Sequence, residues 1–321
     1  MTEEERRPAV PEDRPPADSS PLVRIGSKIP ATPRLPGFLR KPVTNFESVQ
    51  LLKNDLRRLK LHTVCESARC PNIHECFHRG AATFMILGNL CTRGCAFCAV
   101  PKGSPLKREF ALDPDEPASV ARMAQQMDLR YVVITSVNRD DLEDGGSRHF
   151  AETERRVREA LPQARVEVLT PDFCGDREAV ARVLDAGPQV FNHNLETVGR
   201  LYRRVRPQAN YRQSLEVLAF ARKYRPDVLT KSGLMAGLGE TEEEVQVVLR
   251  DLRDAGTEVV TIGQYLQPTR RNMEVAEYVP PERYERWKEY GLAIGFRMVF
   301  AGPFVRSSYM AEMVSEGARK A

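Results

Sequence analysis

The sequence predicts a parallel α/β fold: a full or partial TIM-type (β/α) barrel of about six or seven strands with N- and C-terminal extensions. From residue 83 onward, short and nearly continuous apolar runs alternate with amphipathic stretches, the pattern of strands covered on both faces by helices. Polar side chains crowd one end of those runs, where a parallel barrel gathers its chemistry. The length, 321 residues, accommodates a barrel-sized domain with extensions. A doubly wound open sheet is the competing architecture.

Nine of the 23 prolines fall in the first 45 residues, so residues 1–35 read as an extended or disordered tail. Order is expected to begin near Phe38 and Leu39, followed by a helix over 45–61 that carries Phe46, Val49, Leu51, Leu52, Leu56 and Leu59 at close to helical spacing. Residues 36–82 form an N-terminal extension, 83–301 the barrel and 302–321 a C-terminal segment. Strands are predicted at 83–88, 131–136, 165–170, 189–193, 228–235, 258–266 and 297–301. The intervening helices are predicted at 117–127, 148–161, 176–186, 211–224, 241–255 and 281–294.

Composition narrows the function classes. A net charge of +4, with Lys and Arg interleaved among Asp and Glu, lacks the dense basic patch of a nucleic-acid binder. No apolar run reaches membrane-spanning length, and the start MTEEERRPAV has neither the apolar core of a secretory signal nor the character of a transit peptide. A cytoplasmic address is expected. In a reducing compartment the seven cysteines are metal ligands or reactive thiols rather than disulfides.

Six of them form two triplets: Cys65, Cys70 and Cys76 as C-x4-C-x5-C, and Cys91, Cys95 and Cys98 as C-x3-C-x2-C. Three thiolates on a loop leaving a strand suit three corners of a 4Fe–4S cube and leave one iron open for a ligand. Zinc is the competing reading, but it favours paired Cys-x2-Cys units or Cys/His sets that total four ligands. The first triplet is also one ligand short. His62, His74, His78 and Cys174 are candidates for its fourth corner, but surface or packing duty is the preferred reading of each histidine, and Cys174, in TPDFCGD, reads as an unligated thiol.

The second triplet, with Phe97 just before its last cysteine, resembles the radical S-adenosylmethionine (SAM) superfamily. HTVCESARCPNIHECF (62–77) with CTRGCAFC (91–98) resembles the lipoyl synthase family in particular. The likeness continues through ITSVNRDDLEDGG (134–146), FNHNLETVGRLY (191–202), KSGLMAGLGET (231–241), GQYLQPTR (263–270) and GPFVRSSY (302–309). It implies that Cys91, Cys95 and Cys98 hold a cluster whose free iron binds SAM, reductively cleaved to a 5′-deoxyadenosyl radical. It also implies an auxiliary 4Fe–4S cluster on Cys65, Cys70, Cys76 and Ser308, with Ser307 as the alternative serine. Alkoxide is harder than thiolate and suits cluster iron less well, so that corner is labile in a cluster that gives up its sulfide. Helix capping is the competing role of both serines.

The substrate implied is an octanoyl-lysine on a lipoyl domain of a 2-oxoacid dehydrogenase acyltransferase or on a glycine-cleavage H protein. Sulfur enters at carbons 6 and 8, and an alternative is another radical SAM sulfur inserter with an auxiliary cluster. A ferredoxin or flavodoxin and an iron–sulfur carrier protein are the other implied partners. Gly94, Ala96 and Ala99 stand where relatives often carry bulkier or charged residues.

For SAM itself, Asn194 and Glu196 suit the ribose hydroxyls, Thr135 and Ser136 the methionine end, and Arg206 or Lys231 the carboxylate. The competing roles are an ordinary salt bridge for Arg206, a barrel-interior pair for Lys231 and helix caps for Thr135 and Ser136. GLGE (237–240) lacks the P-loop spacing and lysine and reads as a strand-to-helix turn near the adenine. No spacing supports a Cys174–His193 nucleophile pair.

Overall fold

The computed structural model describes residues 35–40, 46–67, 70–78, 81–103 and 111–308. Eight strands make one sheet in chain order. The two-residue β1 (His62–Thr63) runs antiparallel to β2 (Ala81–Ile86). From β2 onward every pairing is parallel, through β3 (Tyr131–Ser136), β4 (Arg165–Leu169), β5 (Val190–Asn192), β6 (Leu229–Ala236), β7 (Val259–Gln264) and β8 (Met298–Gly302). The order never reverses, so there is no topological switch point and the doubly wound alternative is ruled out. No pairing joins β8 to β2 among the described residues. The seven parallel strands form a partial barrel.

Ten α-helices are present among the described residues. In the N-terminal region these are α1 (Phe46–Arg58), α2 (Val64–Ser67) and α3 (Ile73–His78). The barrel carries α4 (Glu116–Gln126), α5 (Ser147–Ala160), α6 (Arg177–Asp185), α7 (Tyr202–Val205), α8 (Tyr211–Tyr224), α9 (Glu242–Asp254) and α10 (Pro281–Ala293). Local chemistry sets several boundaries. Thr241 and Glu244 form a reciprocal capping box at the start of α9, Asp176 caps α6, Asn210 caps α8, and Pro281 opens α10 where a helix needs no N–H. Helices α2, α3 and α7 and strand β1 were not predicted; at two to six residues they are too short to show a period.

Strands β2 to β7 are largely buried on both faces, as their mostly apolar runs require, while β8 is mostly half-buried. Phe84, Ile86, Val132, Ile134, Val166, Val168 and Phe191 have no exposed surface, each contributing about 1.5–3 kcal/mol on burial. Charged groups are also buried among these strands. Glu167 accepts from Lys231 Nζ (2.9 and 3.0 Å), Tyr131 Oη (2.8 Å) and Asn192 Nδ2 (2.9 Å).

The exit of β2 aims the loop that follows. Leu87 takes a positive φ of 68°, and the Glu116 carboxylate accepts from the N–H groups of Leu87 (2.8 Å) and Gly88 (3.4 Å). His149 Nε2 lies 2.7 Å from the same carboxylate. The first turn of α4 thus fixes the direction in which the chain leaves for Cys91.

Candidate functional site

The second cysteine triplet lies on the loop after β2, which is held from outside at several points. Gly94 N–H donates to Gln208 Oε1 (2.7 Å) and Ala96 N–H to Val205 O (2.9 Å). Asn272 Nδ2 donates to the carbonyls of Ala96 (3.2 Å) and Cys98 (3.0 Å), while Thr269 Oγ1 donates to Asn272 Oδ1 (2.7 Å). Asn138 N–H donates to Cys91 Sγ (3.3 Å). Arg93, also on the cavity wall, forks between Asp140 (2.7 and 2.9 Å) and Asp172 (2.6 and 2.9 Å). Burial opposes the Arg93 charge, but the two carboxylates outweigh it and raise its pKa. Asp172, which burial alone would push up, is held down at about 2 by the same guanidinium. This ion triad ties the loop to the ends of β3 and β4.

The first triplet uses short local structure. Cys70 N–H donates to Cys65 O (3.0 Å) and Cys76 N–H to Asn72 O (2.9 Å). Asn72 Nδ2 donates to Phe304 O (2.7 Å), bridging the N-terminal extension and the segment after β8. That segment lies close against β7: a Cβ at Gly263 would fall onto the Val305 carbonyl. Ser307 Oγ accepts from Asn194 Nδ2 (2.6 Å), whose other N–H goes to Glu196 Oε1 (3.0 Å).

All six cysteines of the triplets, Ser307 and Ser308 line one cavity of about 530 Å3. Phe97, Thr135, Ser136, Asn194, Glu196 and Arg206 share its wall. Thr135 Oγ1 donates to Leu169 O (2.8 Å), while Ser136 Oγ is buried with no hydrogen-bond partner among the described residues. Arg206 commits Nη1 to Asn194 O (2.9 Å), Leu195 O (3.1 Å) and Tyr202 Oη (3.1 Å). Burial pushes the Glu196 carboxyl up, against the pull of Arg206 and Asn194.

Lys231 requires a correction. It is fully buried, paired with Glu167 and absent from the cavity wall, so it is not available to a SAM carboxylate. Its ammonium takes the barrel-interior alternative because an unpaired carboxylate at Glu167 would be far costlier. GLGE forms the expected turn, with Glu240 accepting from the N–H groups of Gly237 and Leu238, but it does not line the cavity. Cys174 is exposed, with Sγ 3.5 Å from both Arg93 Nη2 and Asp140 Oδ1. Neither it nor His62 nor His74 lines the cavity, and the His78 side chain lies outside the described residues, as does the stretch 309–315 invoked for serine capping.

Comparison with known proteins identifies the family. Residues 85–252 match the family model of the radical SAM superfamily, and residues 22–70 match that of the N-terminal domain of lipoyl synthase. Lipoyl synthase of Rubrobacter xylanophilus is 54% identical over 89% of this chain and 88% of its own length. The Thermus thermophilus lipoyl synthase is 54% identical over 87% of this chain and 86% of its own. The chain belongs to the lipoyl synthase family. Among solved structures, the FeFe-hydrogenase maturase HydG of Carboxydothermus hydrogenoformans aligns with a TM-score of 0.50 at 13% identity, over 85% of this chain and 78% of that one. That likeness shows the fold alone.

As a lipoyl synthase, the chain is a sulfur-inserting radical SAM enzyme whose cofactors are SAM and two 4Fe–4S clusters. The donor set fits those groups. None of the seven cysteines is joined in a disulfide, and the triplets meet in one cavity. Among the described residues no three Cys, His, Asp or Glu side chains converge on a single-ion site. A cube spreads its thiolates over separate irons, so a single-ion geometry is not what it requires. Burial pushes the Cys65 thiol up to about 12 and Cys98 to about 11, so any metal or cluster held by either thiolate would have to expel its proton.

Sequence reasoning overlooked the residues that hold the loops: Arg93 with Asp140 and Asp172, Gln208, Asn272 and Asn72. Their partners lie far off in the chain, with Asn272 reaching back 174 and 176 residues. No local spacing could expose that.

Proposed function

We propose that this cavity unites a SAM-binding cluster, an expendable sulfur-donor cluster and the octanoyl chain of a carrier protein. Cys91, Cys95 and Cys98 hold the first cluster, while Cys65, Cys70, Cys76 and Ser308 hold the second. The observation that carries this reading is that both triplets and the serine pair line one strand-end cavity. Its volume falls within the range of about 300–1,000 Å3 usual for small-molecule sites.

Between them, the bound clusters and SAM supply reducing electrons, a carbon-centred oxidant for unactivated C–H bonds, and sulfide. The chain's own residues do the positioning. Glu196 accepts from ribose hydroxyls and Asn194 donates to them. Arg206, with Nη1 already committed, offers its remaining edge to the methionine carboxylate. Thr135 and Ser136 border the methionine end, and Phe97 covers the loop. Apolar wall residues such as Met85, Val133, Leu234 and Met235 exclude water and suit an aliphatic chain. Between the two serines, Ser307 is already hydrogen-bonded to Asn194, which leaves Ser308 for iron.

The carrier is a lipoyl domain of a 2-oxoacid dehydrogenase acyltransferase or a glycine-cleavage H protein. Electrons come from a ferredoxin or flavodoxin, an iron–sulfur carrier restores the auxiliary cluster, and the enzyme works in the cytoplasm. Family membership and the aliphatic wall support this reading. No helix among the described residues is long and apolar enough to cross a membrane.

Anaerobic incubation with an octanoyl-lysine peptide, SAM and dithionite, followed by mass measurement, is the test. A mass gain of two sulfur atoms is expected from the native chain. Ser308→Ala should still cleave SAM but lose sulfur transfer. Equal sulfur transfer by Ser308→Ala would overturn the assignment of that serine.

A further inference from the structure

We propose that Ser307 is a positioning residue that latches the serine segment after β8 to the nucleoside site through Asn194. This rests on the reading of Asn194 and Glu196 as ribose contacts and of Ser308 as the auxiliary-cluster ligand. A carboxamide has two N–H donors. In Asn194 one goes to Glu196 Oε1 (3.0 Å) and the other to Ser307 Oγ (2.6 Å), so both are spent within the protein.

The surroundings hold that arrangement in place. The backbone carbonyl of Asn194 accepts from Arg206 Nη1 (2.9 Å), and Asn194 is only 7% exposed. Beneath the pair lies Gly233 of β6, where a Cβ would come within 2.7 Å of Asn194 Oδ1 and 3.1 Å of Ser307 Oγ. The two side chains therefore pack on bare backbone. The next residue, Ser308, faces the same cavity and makes no hydrogen bond to a described residue.

A ribose hydroxyl that takes an N–H from Asn194 must displace Glu196 or Ser307. Glu196 has its own acceptor role toward the second hydroxyl, so Ser307 is the partner released. Nucleoside occupancy then loosens the segment whose adjacent residue closes the auxiliary cluster. The latch couples SAM binding to the lability of the sulfur donor, and the coupling is reciprocal.

The experiment uses the full chain carrying Ser307→Ala and Ser307→Thr, with S-adenosylhomocysteine as the probe. Ser307→Ala frees one donor and should bind the probe about three- to tenfold more tightly, the equivalent of one modest hydrogen bond. Ser307→Thr keeps the hydroxyl and should behave as the native chain. Iron release from reconstituted enzyme to a chelator supplies a second readout. The probe shields the iron that it covers, so extra release on adding it reports the other cluster. Native enzyme should release iron several-fold faster with the probe, whereas Ser307→Ala should release it equally fast with and without.

Unchanged probe affinity in Ser307→Ala, or native iron release that ignores the probe, overturns the latch. Glu196→Gln separates this from failure of the site reading: it should weaken the probe. If it does and Ser307→Ala has no effect, the latch falls and the ribose site stands; if Glu196→Gln leaves affinity intact, the ribose site itself falls. Should Ser307→Ala not fold, Ser307→Gly removes the same hydroxyl and carries the same expectations.

Discussion

Replacing Lys231 with Met is expected to destabilise the barrel by about 3–5 kcal/mol, the usual cost of orphaning one member of a buried pair. Both side chains are 0% exposed, and Nζ lies 2.9 and 3.0 Å from the Glu167 oxygens. At that separation the attraction is about 6 kcal/mol at an effective dielectric near 20. Met removes it while leaving the carboxylate in place, with only the neutral donors Tyr131 and Asn192 to offset the loss. A second change, Glu167→Gln, removes the orphaned charge and keeps an amide in reach of both donors. The double variant should return to within about 1–2 kcal/mol of the native chain. Urea denaturation of the anaerobic, cluster-free chain measures all three proteins, with S-adenosylhomocysteine affinity as a parallel readout. The reasoning fails if Lys231→Met stays within about 1 kcal/mol of native, or if the double variant is no more stable than the single. Loss of probe affinity in a restabilised double variant would return Lys231 to the nucleoside site.

Asn272→Ala should remove two donors from the carbonyls beside Cys98, broaden the cluster's electron paramagnetic resonance signal and speed chelator-driven iron loss several-fold; native behaviour in both would sink the clamp. Glu154 on α5 is fully buried, both its oxygens lack hydrogen bonds among the described residues, and burial lifts its pKa to about 8 against the pull of Arg158 and Arg225. Its folded form therefore holds a proton that the unfolded form releases from about 4.5 upward, so stability falls between those values as pH rises. Glu154→Gln should gain little at pH 5 and a few kcal/mol at most by pH 8.5, read from thermal midpoints; equal gain at both pH values would contradict the assignment. Gly263→Ala would press a methyl into the Val305 carbonyl and should cost about 2–3 kcal/mol by urea titration while displacing the serine segment; a native-like midpoint would count against that packing.

The barrel was legible in the sequence because strands buried on both faces must read as unbroken apolar runs. Predicted and observed bounds coincide at Tyr131–Ser136 and Tyr211–Tyr224 and differ by a few residues elsewhere. The two cysteine triplets were also visible in the sequence through their short spacing, and the structure brings both to one cavity. Lys231 could not be read this way. A lysine at a strand end in a polar-rich stretch suits an anionic ligand or a buried carboxylate equally well. Only the opposition of β4, β5 and β6 places Glu167, Asn192 and Lys231 together.

Residue type and short-range spacing thus display the chemical groups of this chain: two sets of closely spaced thiols and strand ends that present polar groups. Tertiary structure decides which groups remain free to act. It takes Lys231 into the barrel, spends Arg93 on two carboxylates, ties Ser307 to Asn194 and leaves Ser308 on the cavity wall. The physical reason is that burial forces each polar atom to find a partner, and that partner is chosen by the fold from anywhere along the chain.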